Sequence, residues 1–337
     1  MKIAEHLIKT LTVVCAMLRV SLTLLSALAA TVAAYQVPLA LPATRVRSAA
    51  PSGGRAVRVS AAPQAQAVAL PLKAVEAPRT NKLTRLLVGS AFCASVFICV
   101  TAIYPFVLAA TLYSVLFDNA RRRGNDWVVQ IWARASLLCI GSKVTVEGAE
   151  NLPPPTEAVM YTPNHCSFLD IFSLSGYLPR RFKYISKIEI LRIPLIGWAM
   201  LFAKHIAIRR SDRASQMQTL KDAIETLKAG NSLVTFPEGT RSKDGRIMDF
   251  KKGPFTMAAR AGVRVVPISI IGTHVFQPAG AFAPIAIPRG VRIVVHPALD
   301  PPVAKQEQET SDAAKRAIMS ALPSSMLPVP TDTMPRA

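Results

Sequence analysis

Between Glu5 and Glu76 the chain has no acidic residue, and between Leu86 and Phe117 it has no charged residue of either sign. Its five cysteines (Cys15, Cys93, Cys99, Cys139 and Cys166) form no C-x-x-C pair, and two of them lie inside the long uncharged run. That pattern excludes a disulfide framework and a zinc site, and no other ligand cluster calls for a metal. Aromatic residues are few, at 7%, and no basic run is interleaved with them. The excess of 40 Lys and Arg over 20 Asp and Glu, a net charge of +20, therefore does not read as a nucleic-acid surface. With 51% hydrophobic residues, the positive charge fits a protein at an anionic membrane surface or one that takes a phosphorylated substrate.

The missing acids also divide the chain. In residues 1–34, Lys2 and Lys9 precede an apolar stretch from Leu11 to Ala34 that only Arg19 interrupts, the composition of a signal peptide or signal anchor. Residues 35–78 scatter Arg45, Arg47, Arg55, Arg58 and Lys73 among Ala, Ser, Pro, Val and Gln, as organellar transit peptides do. The tandem resembles the bipartite presequence of a plastid acquired by secondary endosymbiosis, which implies a plastid envelope. The plainer alternative is a membrane anchor with a linker, in a membrane such as the endoplasmic reticulum. Residues 79–140 read as membrane-anchoring helices. The uncharged run would make ~48 Å of helix, against ~30 Å of bilayer hydrocarbon. Pro105 lies inside it, so either one membrane helix with a continuation or a hairpin of two shorter helices is expected. Trp127 to Leu138 follows as an amphipathic helix.

Residues 141–300 change pattern. Strand-like runs recur at Lys143 to Glu147, Val159 to Thr162, Phe182 to Ile185, His205 to Ile208, Ser232 to Phe236, Arg264 to Ile270 and Val291 to His296. Helical stretches alternate with them, most clearly Asp212 to Ala229, with Asp212 as N-cap and Gly230 as C-cap, and Pro254 to Ala261. This is an α/β domain with a mostly parallel sheet flanked by helices. Residues 301–337 predict a helix over Ser311 to Leu322 and a flexible tail from Pro323.

Two constellations carry chemistry. In Asn164-His165-Cys166-Ser167-Phe168-Leu169-Asp170, a histidine and a carboxylate stand five residues apart. On one continuous helix they would diverge by about 140°. His165 is therefore expected in a turn after the Val159 strand, and Asp170 inside a helix that Ser167 caps. So placed, His165 can act as general base and Asp170 as the group that orients it. By itself such a pair is commonly a structural hydrogen bond. The second constellation, Phe236-Pro237-Glu238-Gly239-Thr240-Arg241-Ser242, leaves a strand at its carboxyl end, where open α/β sheets bind ligands. Arg241 offers a fork for phosphate, and Gly239 lets backbone come close. Arg209 and Arg210 end another strand, while Lys251 and Lys252 precede a helix start suited to an anion. Each alone reads equally as a surface turn or a solvated charge cluster.

Together, over residues 86–300, these stretches resemble the 1-acylglycerol-3-phosphate acyltransferases of the glycerolipid acyltransferase superfamily. Four blocks match in order: Asn164-His165 with Asp170, Ile206 to Arg210, the complete F-P-E-G-T-R-S at 236–242, and Val266-Pro267-Ile268. The segments Ile193 to Met200 and Ser242 to Gly253 look most like the plastid branch. Lys204-His205 depart from the pattern, standing where a Gly-led turn is common. The resemblance implies transfer of an acyl group from acyl-carrier protein or coenzyme A to the sn-2 hydroxyl of lysophosphatidic acid, giving phosphatidic acid, with no bound cofactor. It implies His165 and Asp170 as catalytic residues. It also implies Glu238, Gly239, Thr240, Arg241, Arg210, Lys252 and Asn164 as the acceptor's site, with Glu238 orienting Arg241 or the acceptor and Asn164 fixing the turn. Glycerol 3-phosphate or another lysophospholipid is the alternative acceptor. A non-enzymatic alternative is a membrane-bound protein that binds anionic lipid. Cys166, adjacent to His165, raises a thiol nucleophile as a rival mechanism, although a small buried residue is the simpler reading.

Overall fold

The computed structural model describes residues 75–329, apart from 77, 210 and 211. The expected presequence therefore lies almost wholly outside the described residues, as does Arg210. Seven strands make one sheet: β1 (Lys143–Glu147), β2 (Met160–Pro163), β3 (Lys183–Lys187), β4 (Ile206–Ile208), β5 (Leu233–Val234), β6 (Val265–Ile271) and β7 (Arg289–Val295). Their order is β1-β7-β6-β2-β5-β3-β4. Every neighbouring pair is parallel except β6 and β7, which are antiparallel. The central strands are buried throughout, as their continuous apolar sequences require. The expected strand over 232–236 is regular only at Leu233–Val234, but Thr235 still donates its N–H to the Tyr161 carbonyl at 3.1 Å.

Strands β6, β2 and β5 lie side by side in the sheet. The segments that leave their carboxyl ends, starting at Gly272, Asn164 and Thr235, therefore emerge together. Between the strands run α3 (Leu169–Tyr177), α4 (Ile196–Phe202), α5 (Arg213–Lys228), α6 (Gly253–Ala261) and the single turn α7 (Thr273–Phe276), and α8 (Glu307–Ala321) follows the last strand. Asp212 caps α5 through the Ala214 N–H at 2.9 Å, and Gly230 follows its end with φ of +82°. Lys204 has φ of +56°, so the chain makes the left-handed turn before β4 with a lysine in place of glycine. The neighbouring His205 is buried and accepts the Tyr184 N–H at Nδ1, 2.8 Å away. Burial, reinforced by the nearby charge of Lys183, pushes its pKa down to about 3.

Ahead of the sheet stand two helices, α1 (Lys82–Phe117) and α2 (Arg123–Cys139). Of the two arrangements expected around Pro105, the single helix with a continuation is the one found: α1 runs unbroken through the proline, and no hairpin forms there. One backbone hydrogen bond is forfeited there, but Val100, Ile103 and Val107 on either side are buried, and that packing holds the helix together. Phe92, Val96 and Val107 on one face of α1 pack on α2 and the domain, and the Trp132 indole donates to the Val96 carbonyl at 3.1 Å. Leu86, Leu87, Phe97, Phe106 and Leu112 are exposed. The helix is long and apolar enough to cross a membrane. At the other end of the chain, the tail expected to be free from Pro323 is docked as far as Leu327. Met326 is buried in a cluster with Cys166, Ile247, Ile271 and Ile318, and its carbonyl accepts the Ile247 N–H at 2.9 Å.

Candidate active site

β2 ends at Pro163, and the chain then turns before α3. Asn164, fully buried, fixes that turn to the neighbouring strand: its Oδ1 accepts the Ile270 N–H at 2.7 Å and its Nδ2 donates to the Ile270 carbonyl at 3.0 Å. His165 follows in the turn, and Asp170 lies in the first turn of α3, the separation expected from their spacing. Ser167 sits two residues before the helix, and its hydroxyl accepts the Leu169 N–H at 3.1 Å.

His165 Nδ1 lies 2.9 Å from Asp170 Oδ2. The same oxygen accepts the N–H groups of Cys166 and Ser167 at 2.8 and 2.9 Å. Oδ2 already accepts two backbone N–H groups and so presents an acceptor to His165, which favours the tautomer with its proton on Nδ1 and turns Nε2 outward as the nitrogen that can act as a base. The second carboxylate oxygen accepts the Thr273 hydroxyl at 2.5 Å. Asp170 and Thr273 are fully buried, whereas the His165 side chain keeps some exposure. Phe236 stacks on the imidazole with ring centroids 3.8 Å apart and planes within 19°. Four contacts thus fix one residue: a carboxylate on its ring nitrogen, an aromatic on its ring face, and two hydrogen bonds to its main chain described next.

The F-P-E-G-T-R-S segment holds His165 by its main chain. Glu238 Oε1 accepts the His165 N–H at 2.7 Å, and Ser242 N–H donates to the His165 carbonyl at 2.8 Å. Glu238 Oε2 accepts the Met248 N–H at 3.1 Å. The carboxylate is buried with both its oxygens engaged by backbone N–H groups, and it forms no ion pair with Arg241. Burial outweighs those two donors and raises its pKa to about 7. Gly239, at φ of +75°, supports the ammonium of Lys251: a Cβ there would lie 2.7 Å from Lys251 Nζ. Arg241 is half-buried and makes no hydrogen bond or ion pair with another described residue. Thr240 and Lys252 are exposed, Lys252 at the start of α6.

The Cys166 thiol is buried away from this surface, against Ile247 and Met326, with Sγ 3.5 Å from the Gly245 carbonyl. Burial first, then the carboxylates of Asp170 and Glu238, push its pKa well up. A protonated, enclosed thiol is a poor nucleophile. Thr273 and Phe236 were not singled out as site residues by the sequence. The signal for Thr273 was its position, a small polar residue two places past the carboxyl end of the fully buried β6.

Comparison with known proteins defines first the class. A family model described as "Acyltransferase" matches residues 143–271, the span that holds every catalytic contact above except the Thr273 hydroxyl. The chain superposes with a TM-score of 0.60 on the crystal structure of the 1-acyl-sn-glycerophosphate acyltransferase PlsC from Thermotoga maritima, at 29% identity, covering 70% of this chain and 94% of that one. A 1-acyl-sn-glycerol-3-phosphate acyltransferase of Chlamydomonas reinhardtii is 40% identical over 272 residues, 80% of each chain. The chloroplastic 1-acyl-sn-glycerol-3-phosphate acyltransferase of Arabidopsis thaliana is 42% identical over 215 residues. That match covers 64% of this chain and 60% of the relative, so the chain spans less than two thirds of the land-plant protein. The chain belongs to the 1-acyl-sn-glycerol-3-phosphate acyltransferase family.

Proposed function

We propose that the protein transfers a fatty acyl group from a thioester, on acyl-carrier protein or coenzyme A, to the sn-2 hydroxyl of 1-acylglycerol 3-phosphate, forming phosphatidic acid at a plastid membrane. The observation that carries this reading is the fixed His165–Asp170 pair, whose base is held through its own main chain by Glu238 and Ser242 of the segment that carries Arg241. The relatives named for this reaction, two of them chloroplastic, support the acceptor and the compartment.

In the proposed step, His165 Nε2 removes the proton of the sn-2 hydroxyl as its oxygen attacks the thioester carbonyl. The resulting tetrahedral adduct collapses by breaking the C–S bond, and the imidazolium returns the proton to the leaving thiolate. Asp170 offsets the charge that develops on the ring. Base catalysis of this kind is worth about 10²- to 10⁴-fold, and positioning supplies much of the rest. Arg241, with Lys251 supported against Gly239, holds the acceptor phosphate; Arg210 and Lys252 are further cations for it. Glu238 and Asn164 act by fixing the turn that carries the base. The bilayer supplies the acceptor, and the exposed apolar face of α1 is the anchor.

The test is an assay on membranes that carry the full chain, following labelled phosphatidic acid. Product is expected from lysophosphatidate and an acyl thioester, and not when His165→Ala replaces the parent. Turnover of glycerol 3-phosphate in preference to lysophosphatidate would overturn the acceptor assignment. Comparing the two thioesters assigns the donor.

A further inference from the structure

Phe282 is the most exposed large apolar side chain among the described residues, at 91%. It stands in a stretch, 275–288, that has no charged residue. The loop around it is built. Gln277, fully buried, donates its side-chain amide to the carbonyls of Ala281 at 3.3 Å and Phe282 at 3.0 Å. Ala281 N–H donates to Pro278 at 2.9 Å, and Ile285 N–H closes the base on Phe276 at 2.8 Å. The backbone beneath the phenyl ring is thus bound from inside while the ring faces out. An exposed phenylalanine forgoes the stabilisation of burial, so a loop held rigidly to display one fits an apolar cover.

The neighbour of the loop identifies that cover. A Cβ on Gly89 would meet the Ala283 Cβ at 3.3 Å, so the loop lies directly on α1 where glycine leaves room. Gly89 is four residues past Arg85, at the point where the uncharged run of α1 begins. Leu83, Leu86 and Leu87 on those first turns are exposed as well. In sequence beside these turns and the loop, Arg79, Lys82, Arg85 and Arg289 are exposed, with Glu76 as the one acid of 75–89. Exposed apolar side chains flanked in sequence by exposed cations match the boundary between headgroups and acyl chains of an anionic bilayer.

We infer that the 277–288 loop is a membrane wedge, with Phe282 inserted among lipid acyl chains beside the first turns of α1. This rests on the membrane association proposed above. It also gives the loop a use in turnover. The Ser167 hydroxyl donates to the Gln277 carbonyl at 2.8 Å, so the wedge is tied to the turn that carries His165. Seating Phe282 in the bilayer fixes the height of the base above the surface from which a lipid acceptor is drawn.

The experiment places the full-length Phe282→Trp protein in vesicles of phosphatidylcholine and phosphatidylglycerol. Its fluorescence, after subtraction of the parent's signal from Trp127, Trp132 and Trp198, is challenged with acyl-chain-brominated lipid and with aqueous iodide. The added tryptophan is expected to be quenched by brominated lipid and shielded from iodide. Phe282→Asp is expected to lower kcat/KM about tenfold or more for lysophosphatidate in vesicles, through loss of apolar insertion, and to leave turnover of detergent-dispersed acceptor unchanged. A protein that floats with the vesicles while the added tryptophan is quenched by iodide alone would overturn the wedge and leave membrane association standing. Failure of the parent itself to float would overturn both. Shielding from both quenchers, with a dimer that Phe282→Asp dissociates in detergent, would overturn the lipid assignment in favour of a second copy of the chain.

Discussion

The backbone N–H of His165 donates to Glu238 Oε1 at 2.7 Å, which joins the two most distinctive sequence blocks through the main chain of the base rather than through its ring. Glu238 is thereby a positioning residue, and its carboxylate serves two N–H donors at once, those of His165 and Met248. Glutamine keeps one acceptor oxygen but turns an NH₂ toward the other donor. Glu238→Gln is therefore expected to lower kcat by about 10- to 100-fold, the effect of losing one or two charge-assisted hydrogen bonds behind the base. KM for the acceptor should change little. A raised KM with kcat intact, measured on vesicles, would instead place Glu238 on the substrate.

The same carboxyl should mark the pH dependence of stability. Its folded pKa is raised by burial from 4.5 to about 7, so the folded state holds the proton more tightly than the unfolded chain does. For an acid shifted in this direction, stability is greatest below the unfolded pKa. It falls as pH rises through the window from about 4.5 to about 7, and is level above it. At 1.4 kcal/mol per unit the whole change is about 3 kcal/mol. Relative to Glu238→Gln, which has no such proton, the parent should lose stability across that window. Thermal denaturation of both proteins in detergent from pH 4 to pH 8 measures this, and parallel curves would count against it.

Thr273 donates to the Asp170 oxygen that His165 does not use, at 2.5 Å. Removing a hydrogen bond to a charged group costs about 1.5–3 kcal/mol. Thr273→Val should accordingly reduce kcat by roughly 10- to 100-fold, and Thr273→Ser should restore most of it. Asp170→Asn confronts two backbone N–H donors and the His165 Nδ1–H with an amide and should cost about 10²- to 10⁴-fold. A fully active Thr273→Val enzyme would mean that the two backbone donors alone hold the carboxylate.

For Cys166 the expectation is the reverse. Its thiol is enclosed with Ile247 and Met326, and burial holds it protonated. Cys166→Ala should lower stability by about 1 kcal/mol for the small void and keep turnover within about threefold of the parent. Complete loss of labelled product, with the fold intact by circular dichroism, would require an acyl-enzyme.

What the sequence made legible was whatever depends on local order. The five-residue separation of His165 and Asp170 excluded a shared helix face, and the structure places one in the turn and the other in α3. Asp212 and Gly230 marked both ends of α5 through their capping chemistry. Contacts between residues distant in sequence were not legible. Thr273 reaches Asp170 only because β6 lies beside β2, an adjacency no local pattern encodes. Pro105 left one helix or a hairpin open, because propensity counts the lost hydrogen bond and not the side chains that pack around it. The docked stretch before Leu327 misled, since its composition is that of a tail while Met326 fills a gap under Cys166.

Lys183 and Asp126 form an ion pair that the sequence did not announce. Lys183 Nζ donates to both Asp126 oxygens, at 3.0 and 2.9 Å, and to the Ala203 carbonyl at 2.8 Å, joining α2 to β3 and to the end of α4. Both partners are buried. Desolvation pushes the Asp126 pKa up to about 7 and that of Lys183 down, so the pair resists burial even while it is matched. Lys183→Met strands the carboxylate and should cost about 3–5 kcal/mol near neutral pH. Without its cation, Asp126 rises further, so the deficit should shrink as pH falls and Asp126 takes up a proton, and grow as pH rises. Replacing both residues, Lys183→Met with Asp126→Leu, removes the unpaired charge and should recover most of the loss. Chemical denaturation of the three variants in detergent at pH 5 and pH 8 tests the assignment. A double variant as unstable as the single one would show that the pair contributes specific attraction beyond avoiding a stranded charge.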